Sequence, residues 1–388
     1  MHYRLFLMII LALSGAGVSA QRQFTISVSP GAYTIEQALQ EARLRRIHGE
    51  EGTPCLQLQA GTYSLLQPIV VRPEDNGTRI VGGEGVVVSG GVRIGGWRRE
   101  GRLWVADVPL WNGRTLEFRQ LWVNGRKAVR ARDVPVEAKT PGEDPFEKMN
   151  RILSVDKAKE TVYVPKSSAC SSPAQGKGAG KKGTLSPLLA RGAGDEAFEM
   201  VLHEMWCVAN LRIKDISVQG DSIALTFHNP ESHIHFMHPW PSPMVTTDGK
   251  HNSAFYLTGA KALLDEPGEW HLDRRKQRLY YMPRPGEDMR TAEVIAPALE
   301  TLLRVEGTPD EPVTDVTLEG ITFEHATWMR PSVMGHAPLQ AGMFMTEAYK
   351  IRPQISRPNG DHKLDNQGWV GRPAAALTVS CAERFTLS

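Results

Sequence analysis

Glu324 and His325 stand together just after an alternating run from Val313 to Phe323, and further on Asp361 and Asp365 flank His362. Paired carboxyl groups split acetals: one, protonated, delivers a proton to the leaving oxygen while the other, ionised, serves as base or nucleophile. They do so at about 5–5.5 Å when configuration is retained and about 6.5–9.5 Å when it is inverted. Flat aromatic rings suit the same chemistry, because a ring covers the apolar face of a pyranose and leaves its hydroxyls to polar partners. Glu324, His325, Asp361 and Asp365 are the acid–base candidates, and Trp328, Gln340 and Trp369 the substrate-binding ones. Trp206 and Trp270 read instead as core of their own segment. Polar turns carry many carboxylates that do no chemistry, so everything depends on elements that bring two of them face to face.

Other chemistries find less support. Ser232 to His238 holds His233, His235 and His238, and on a strand His233 and His235 would share one face. No acidic partner stands at a familiar spacing and no C-x-x-C pair occurs, so no metal and no cofactor are expected. Neither a Gly-rich phosphate loop nor a Ser-nucleophile motif is present. Cys55, Cys170, Cys207 and Cys381 form no compact disulfide framework; Cys55 and Cys381 adjoin alternating apolar runs and read as small core residues. Lys+Arg 45 against Asp+Glu 43 leaves a net charge of +2, with no basic excess to track a phosphate backbone, which argues against a nucleic-acid partner.

Met1 to Arg4 is positive, Leu5 to Leu13 is apolar, and Ser14 to Ala20 is rich in small residues and ends in Val18-Ser19-Ala20. That is the pattern of a secretory signal peptide over residues 1–20, too short in its apolar part to span a bilayer. A secreted or periplasmic location is expected, with no membrane span later in the chain.

Thr34-Ile35-Glu36-Gln37 forms a capping box, and Ile35, Ala38, Leu39, Ala42 and Ile47 recur at helical spacing to about His48. From Cys55 the period changes to two. Leu56 and Leu58, Gly61 to Tyr63, Ile69 to Val71, Thr78 to Gly83 and Val86 to Gly91 are short strands punctuated by Gly. Strands of this length recurring every 20–25 residues or so indicate a solenoid, with the first helix covering its open edge. A β-sandwich would show longer strands joined by tight hairpins. The expected fold is all-β: a parallel β-helix with an N-terminal capping helix. On such a scaffold, equivalent positions of neighbouring coils lie about 4.8 Å apart, so carboxylates one or two coils apart meet either catalytic separation.

The coils fill residues 21–113. Residues 114–297 read as an inserted, mainly β domain, with a hairpin turn at Asn124-Gly125 and a Ser/Gly/Lys-rich loop over 166–195. Coils resume over 298–388, bent at Gly320, and the pattern stops in mid-strand at Ser388, which reads as a truncation.

In the same order, these segments resemble secreted right-handed parallel β-helix proteins related to glycoside hydrolase family 141. The resemblance runs from Gly31-x-Tyr33 and Gly61-x-Tyr63 through Gly96-Trp97 to Leu121-Trp122-Val123-Asn124-Gly125-Arg126, followed by Ala128 and Arg130-Ala131-Arg132. It continues through Pro267-Gly268-Glu269-Trp270-His271-Leu272-Asp273 and Leu279-Tyr280-Tyr281-Met282-Pro283 to Gly320-Ile321-Thr322-Phe323, Trp328 and Gln340-Ala341-Gly342. It implies a β-helix interrupted by an all-β insertion domain, in a secreted enzyme that cleaves plant-type polysaccharide, with α-L-fucosidase and xylanase activities in the group. It also implies that the catalytic carboxylates belong to coils beyond Ser388, so none is carried onto this chain. The expected partner is a polysaccharide or oligosaccharide, and the expected state a monomer. Two alternatives stand beside this reading. One is a polysaccharide lyase, which would want a basic proton abstractor and often Ca²⁺. The other is an inactive fragment that only binds glycan.

Overall fold

The computed structural model describes residues 22–136, 149–166, 198–238, 241–348 and 369–388, and its elements are mostly strands. The signal-peptide segment, Cys170 and the 166–195 loop from 167 on lie outside the described residues.

The helix Ile35–Ile47 begins as its sequence dictates. Thr34 Oγ1 accepts from the Gln37 N–H at 3.1 Å, and Gln37 Oε1 accepts from the Thr34 N–H at 2.9 Å, so two orphan donors are satisfied. Ile35, Ala38, Leu39 and Ala42 are buried, whereas Ile47, expected on the same stripe, is 77% exposed. Twelve residues beyond Ile35 it has rotated about 120° off that stripe at 3.6 residues per turn.

Beneath the helix the strands pair in parallel and in register. Gln23–Val28, Thr53–Leu58, Arg79–Val81, Thr317–Glu319 and Thr386–Leu387 form one sheet. Ile69–Val71, Leu303–Glu306 and Leu377–Ser380 form a second, and Gly61–Ser64, Val86–Ser89 and Thr322–Glu324 a third. Because the register is exact to the residue, like side chains stack into ladders. Ile26, Leu56, Ile80 and Leu318 are consecutive rungs, all buried, each contributing about 1.5–3 kcal/mol. Val71 and Val305 do the same in the second sheet. Gly320 supplies the expected bend between Thr317–Glu319 and Thr322–Glu324, at φ +64° and with the Gly82 backbone too close to admit a side chain comfortably.

Arg79–Val81 lies directly beside Thr317–Glu319, so the chain between them leaves the stack and returns. The excursion builds two further sheets. One has eight strands, ordered Gly91–Arg93, Val294–Pro297, Leu121–Val123, Arg126–Arg130, Glu269–Asp273, Arg278–Tyr281, Leu103–Asp107 and Arg98–Glu100. The other is antiparallel with seven: Asn150–Arg151, Ala254–Thr258, Glu199–His203, Val208–Gln219, Ser222–Phe227, Thr161–Pro165 and Ser154–Asp156. Asn124 and Gly125 both take positive φ and join Leu121–Val123 to Arg126–Arg130 as the expected tight hairpin. Trp270 is buried and stacks on Phe118 at 5.2 Å.

Three expectations need correcting. Ser232 to His238 is not a strand, since a helix spans Glu231–Met237. Two residues apart on a helix is about 200°, so His233 faces outward to Glu160 while His235 is enclosed against Glu204 at 3.1 Å. Trp206 is 49% exposed, because it lies at the tip joining Glu199–His203 to Val208–Gln219 rather than on either strand. Cys381 is exposed at a positive-φ turn between Leu377–Ser380 and Ala382–Glu383, whereas Cys55 is buried. No helix among the described residues is long and apolar enough to cross a membrane.

Candidate functional site

Three segments meet where the excursion rejoins the parallel sheets. Gly90 N–H donates to the Glu324 carbonyl at 3.1 Å, and Ala298 N–H donates to the Gly90 carbonyl at 2.8 Å. Leu299 bridges Ala326, Thr327 N–H donates to the Leu299 carbonyl at 2.9 Å, and Met329 N–H donates to Glu300 Oε1 at 2.7 Å. Of the residues singled out from sequence, Glu324, His325 and Trp328 lie along this seam.

Glu324 ends the strand Thr322–Glu324, opposite Ser89 in register, and its side chain is 47% exposed. His325 follows at φ +60°, with its ring edge-on to Trp122 at 5.0 Å and Nδ1 2.9 Å from Ser89 Oγ. Gly91 is a glycine because a Cβ would meet Ile295 and the His325 ring stem. Burial pushes the imidazole pKa down, against the pull of Glu324 and Glu293. His325 is therefore a fixed, neutral ring at pH 7, and at 3.9 Å from Nδ1 the Glu324 carboxylate is not hydrogen-bonded to it.

The aromatic candidates gather on the other side of the seam. Trp328 packs edge-on to His336 at 5.1 Å and tilted to Phe344 at 5.9 Å, with the Arg330 guanidinium 4.1 Å over Phe344. Its ring is thus half-buried and braced on two sides. Burial, reinforced by Arg330, Arg119 and His235, pushes His336 down to about 4. Trp369 is 42% exposed and its carbonyl accepts from Thr346 N–H, next to the pairing of Phe344–Met345 with Val370–Gly371. Gln340 is exposed in the turn Gln340–Gly342. The structure therefore groups Trp328, Gln340 and Trp369 around the strand Phe344–Met345, and keeps Glu324 and His325 on the Trp122 side. Asp361 and Asp365 lie outside the described residues.

Sequence reasoning missed two features. An open cleft of 380 Å³ is lined by Pro68, Trp111, Ala298, Leu299, Glu300, Thr301 and Arg304. Its one sequence signal is an aromatic residue at the point where the coil pattern stops. The second feature is a buried charge network at the base of the seam. Glu199 takes Arg119 Nη1 at 2.7 Å and Arg130 Nη1 at 2.9 Å, and Ser332 Oγ, from the short helix Arg330–Met334, lies 3.2 Å away. Burial alone would raise the Glu199 pKa, but Arg130 and Arg119 outweigh it and hold the group at about 2. Two other carboxyls move the opposite way through burial, Asp133 to about 7 and Glu269 to about 8. Both anchor backbone inside the excursion. Asp133 Oδ1 accepts from Leu257 N–H, and Glu269 accepts from the N–H groups of Arg132, Asp265 and Glu266. Among the described residues no group of three or more His, Cys, Asp or Glu is arranged to hold a metal.

Residues 101–284 match the GH141 insertion domain. A solved structure titled "Glycoside hydrolase" shares 48% identity with a TM-score of 0.81, over 94% of this chain and 61% of that one. Residues 101–284 are thus similar to a GH141 insertion domain, and the chain spans 61% of the length of the relative titled "Glycoside hydrolase". A second structure, "The complex structure of XylC with xylose", shares 12% identity over 79% of this chain and 35% of its own at a TM-score of 0.27, too low to argue from. No curated protein matches.

Proposed function

We propose that the chain belongs to a secreted glycoside hydrolase that acts on plant-type polysaccharide, with α-L-fucosidase or xylanase-like specificity, through acid–base chemistry of two carboxyls. The observation that carries this reading is the 48% identity, over 94% of the chain, to a structure titled "Glycoside hydrolase". In this reading the in-register parallel sheets are coils of a right-handed parallel β-helix, the signal peptide over 1–20 exports the chain, and the excursion contains the inserted domain expected over 114–297. The parallel registers and the family match over residues 101–284 support it.

Glu324 is the expected carboxylate that stands exposed beside the seam, at the end of a stacked strand. Substituting Glu324→Gln decides its part in the reaction. A loss in kcat of about 10²-fold or more keeps it as acid or base, and a change below about tenfold removes it. The reading as a whole is tested by reducing-sugar release from a panel of plant glycans, using both the 388-residue chain and the longest reading frame that contains it. Release from at least one glycan is expected, and none from any of them would overturn the proposal.

A further inference from the structure

The cleft beside Trp111 has the composition of a sugar subsite. Trp111 sits at the end of a two-residue strand, Leu110–Trp111, that pairs with Arg114–Thr115. Asn112 Nδ2 donates to the Leu66 carbonyl at 3.2 Å, tying the hairpin to the parallel stack. The Trp111 ring packs against the core of the parallel sheets and against that of the eight-stranded sheet. It is thus held from both sides yet still lines open space, which is what a pre-organised platform requires.

The remaining lining divides by chemistry. Pro68, Ala298 and Leu299 continue the apolar surface of Trp111, while Glu300, Thr301 and Arg304 are polar. Met329 N–H is hydrogen-bonded to Glu300 Oε1, which fixes the carboxylate and leaves Oε2 as an acceptor for a hydroxyl. Arg304 is steadied by Glu306 at 3.2 Å, so the cleft carries donors and acceptors without an unbalanced positive charge. The volume, 380 Å³, lies at the small end of the roughly 300–1,000 Å³ usual for small-molecule sites. A flat aromatic beside paired donor and acceptor groups matches the two-sided surface of a pyranose: apolar C–H groups on its face and hydroxyls around its rim. The hydrogen bonds to Leu299 and Glu300 place this cleft next to the segment that follows Glu324.

We propose that the cleft formed by Trp111, Pro68, Glu300, Thr301 and Arg304 is a binding subsite for a neutral pyranosyl unit of the polysaccharide. The unit stacks on Trp111 and hydrogen-bonds to Glu300 and Arg304. This inference rests on the glycoside hydrolase reading and adds a residue-level site to it. Its test is isothermal titration of the 388-residue chain with xylohexaose and with a fucosylated xyloglucan oligosaccharide, run beside reducing-sugar release on the parent polymers. Trp111→Ala is expected to weaken binding by about tenfold or more, and Arg304→Ala by about threefold or more. Trp111 also packs against two cores, so Trp111→Phe and the rim change Arg304→Ala serve as variants that keep the fold, checked by melting temperature. Binding that is unchanged in folded Arg304→Ala and Trp111→Phe overturns the subsite while leaving the hydrolase reading intact. Sugar release without measurable oligosaccharide binding overturns it too. Neither binding nor release from any glycan overturns both proposals.

Discussion

Glu199→Gln isolates the buried charge network that fastens the helix Arg330–Met334 to the excursion. The Glu199 side chain is 1% exposed, and those of Arg119 and Arg130 are 16% and 14% exposed, so solvent screens little of the interaction. Glutamine keeps the shape and one carbonyl acceptor but removes the negative charge that two guanidinium groups share. Holding the Glu199 pKa at about 2 against its ordinary 4.5 corresponds to about 3 kcal/mol at neutral pH, at roughly 1.4 kcal/mol per pKa unit. That agrees in size with the 3–5 kcal/mol or so lost when one partner of a buried pair is removed. The sign of the pH dependence follows from the depressed folded pKa. The stabilisation is complete above the unfolded value of 4.5 and is lost as pH falls through about 2. Urea unfolding of the wild type and Glu199→Gln should therefore show a gap of about 3 kcal/mol at pH 7 that narrows steadily below pH 4.5. A gap below about 1 kcal/mol at pH 7, or one that is the same at both ends of this range, would refute the reasoning.

Three further outcomes follow from the same geometry. Burial raises Asp133 to about 7 and Glu269 to about 8, so the folded chain holds protons that the unfolded chain has released. Stability should therefore fall as pH rises from about 5 to 8, and Asp133→Asn, which keeps the acceptor for Leu257 N–H, should flatten that slope in a melting series. Gly91→Ala, whose Cβ meets Ile295 and His325, should cost about 1–3 kcal/mol in urea unfolding. Glu324→Gln should separate an acid–base role from a binding one by the size of its kcat loss, as set out above.

The stacked strands were legible because their period and their glycines are written locally. The capping box at Thr34, the hairpin at Asn124-Gly125 and the bend at Gly320 each needed only two to four adjacent residues. What failed depends on context. Ser232 to His238 alternates like a strand, yet it is a helix whose buried face is set by Glu204, just past the strand Glu199–His203, and by Phe227 at the end of Ser222–Phe227. Trp328 reads from sequence as a sugar platform, and only the fold shows that His336 and Phe344 pack against its ring. The cleft at Trp111 was hidden for a similar reason. It is assembled from Pro68, Trp111 and residues 298–304, which parallel stacking brings together across more than half the chain. Glu199 stood in no motif at all, because its partners Arg119, Arg130 and Ser332 come from three separate segments.

Water labelled with heavy oxygen tests the central claim most directly. Plant glycans would be incubated in it with the longest reading frame that contains this chain, and the products weighed by mass spectrometry. Glycosidic hydrolysis adds one water across each broken bond, so each new reducing end should carry one heavy oxygen. Products that absorb in the near ultraviolet and carry no label would mark elimination instead, and would contradict the account.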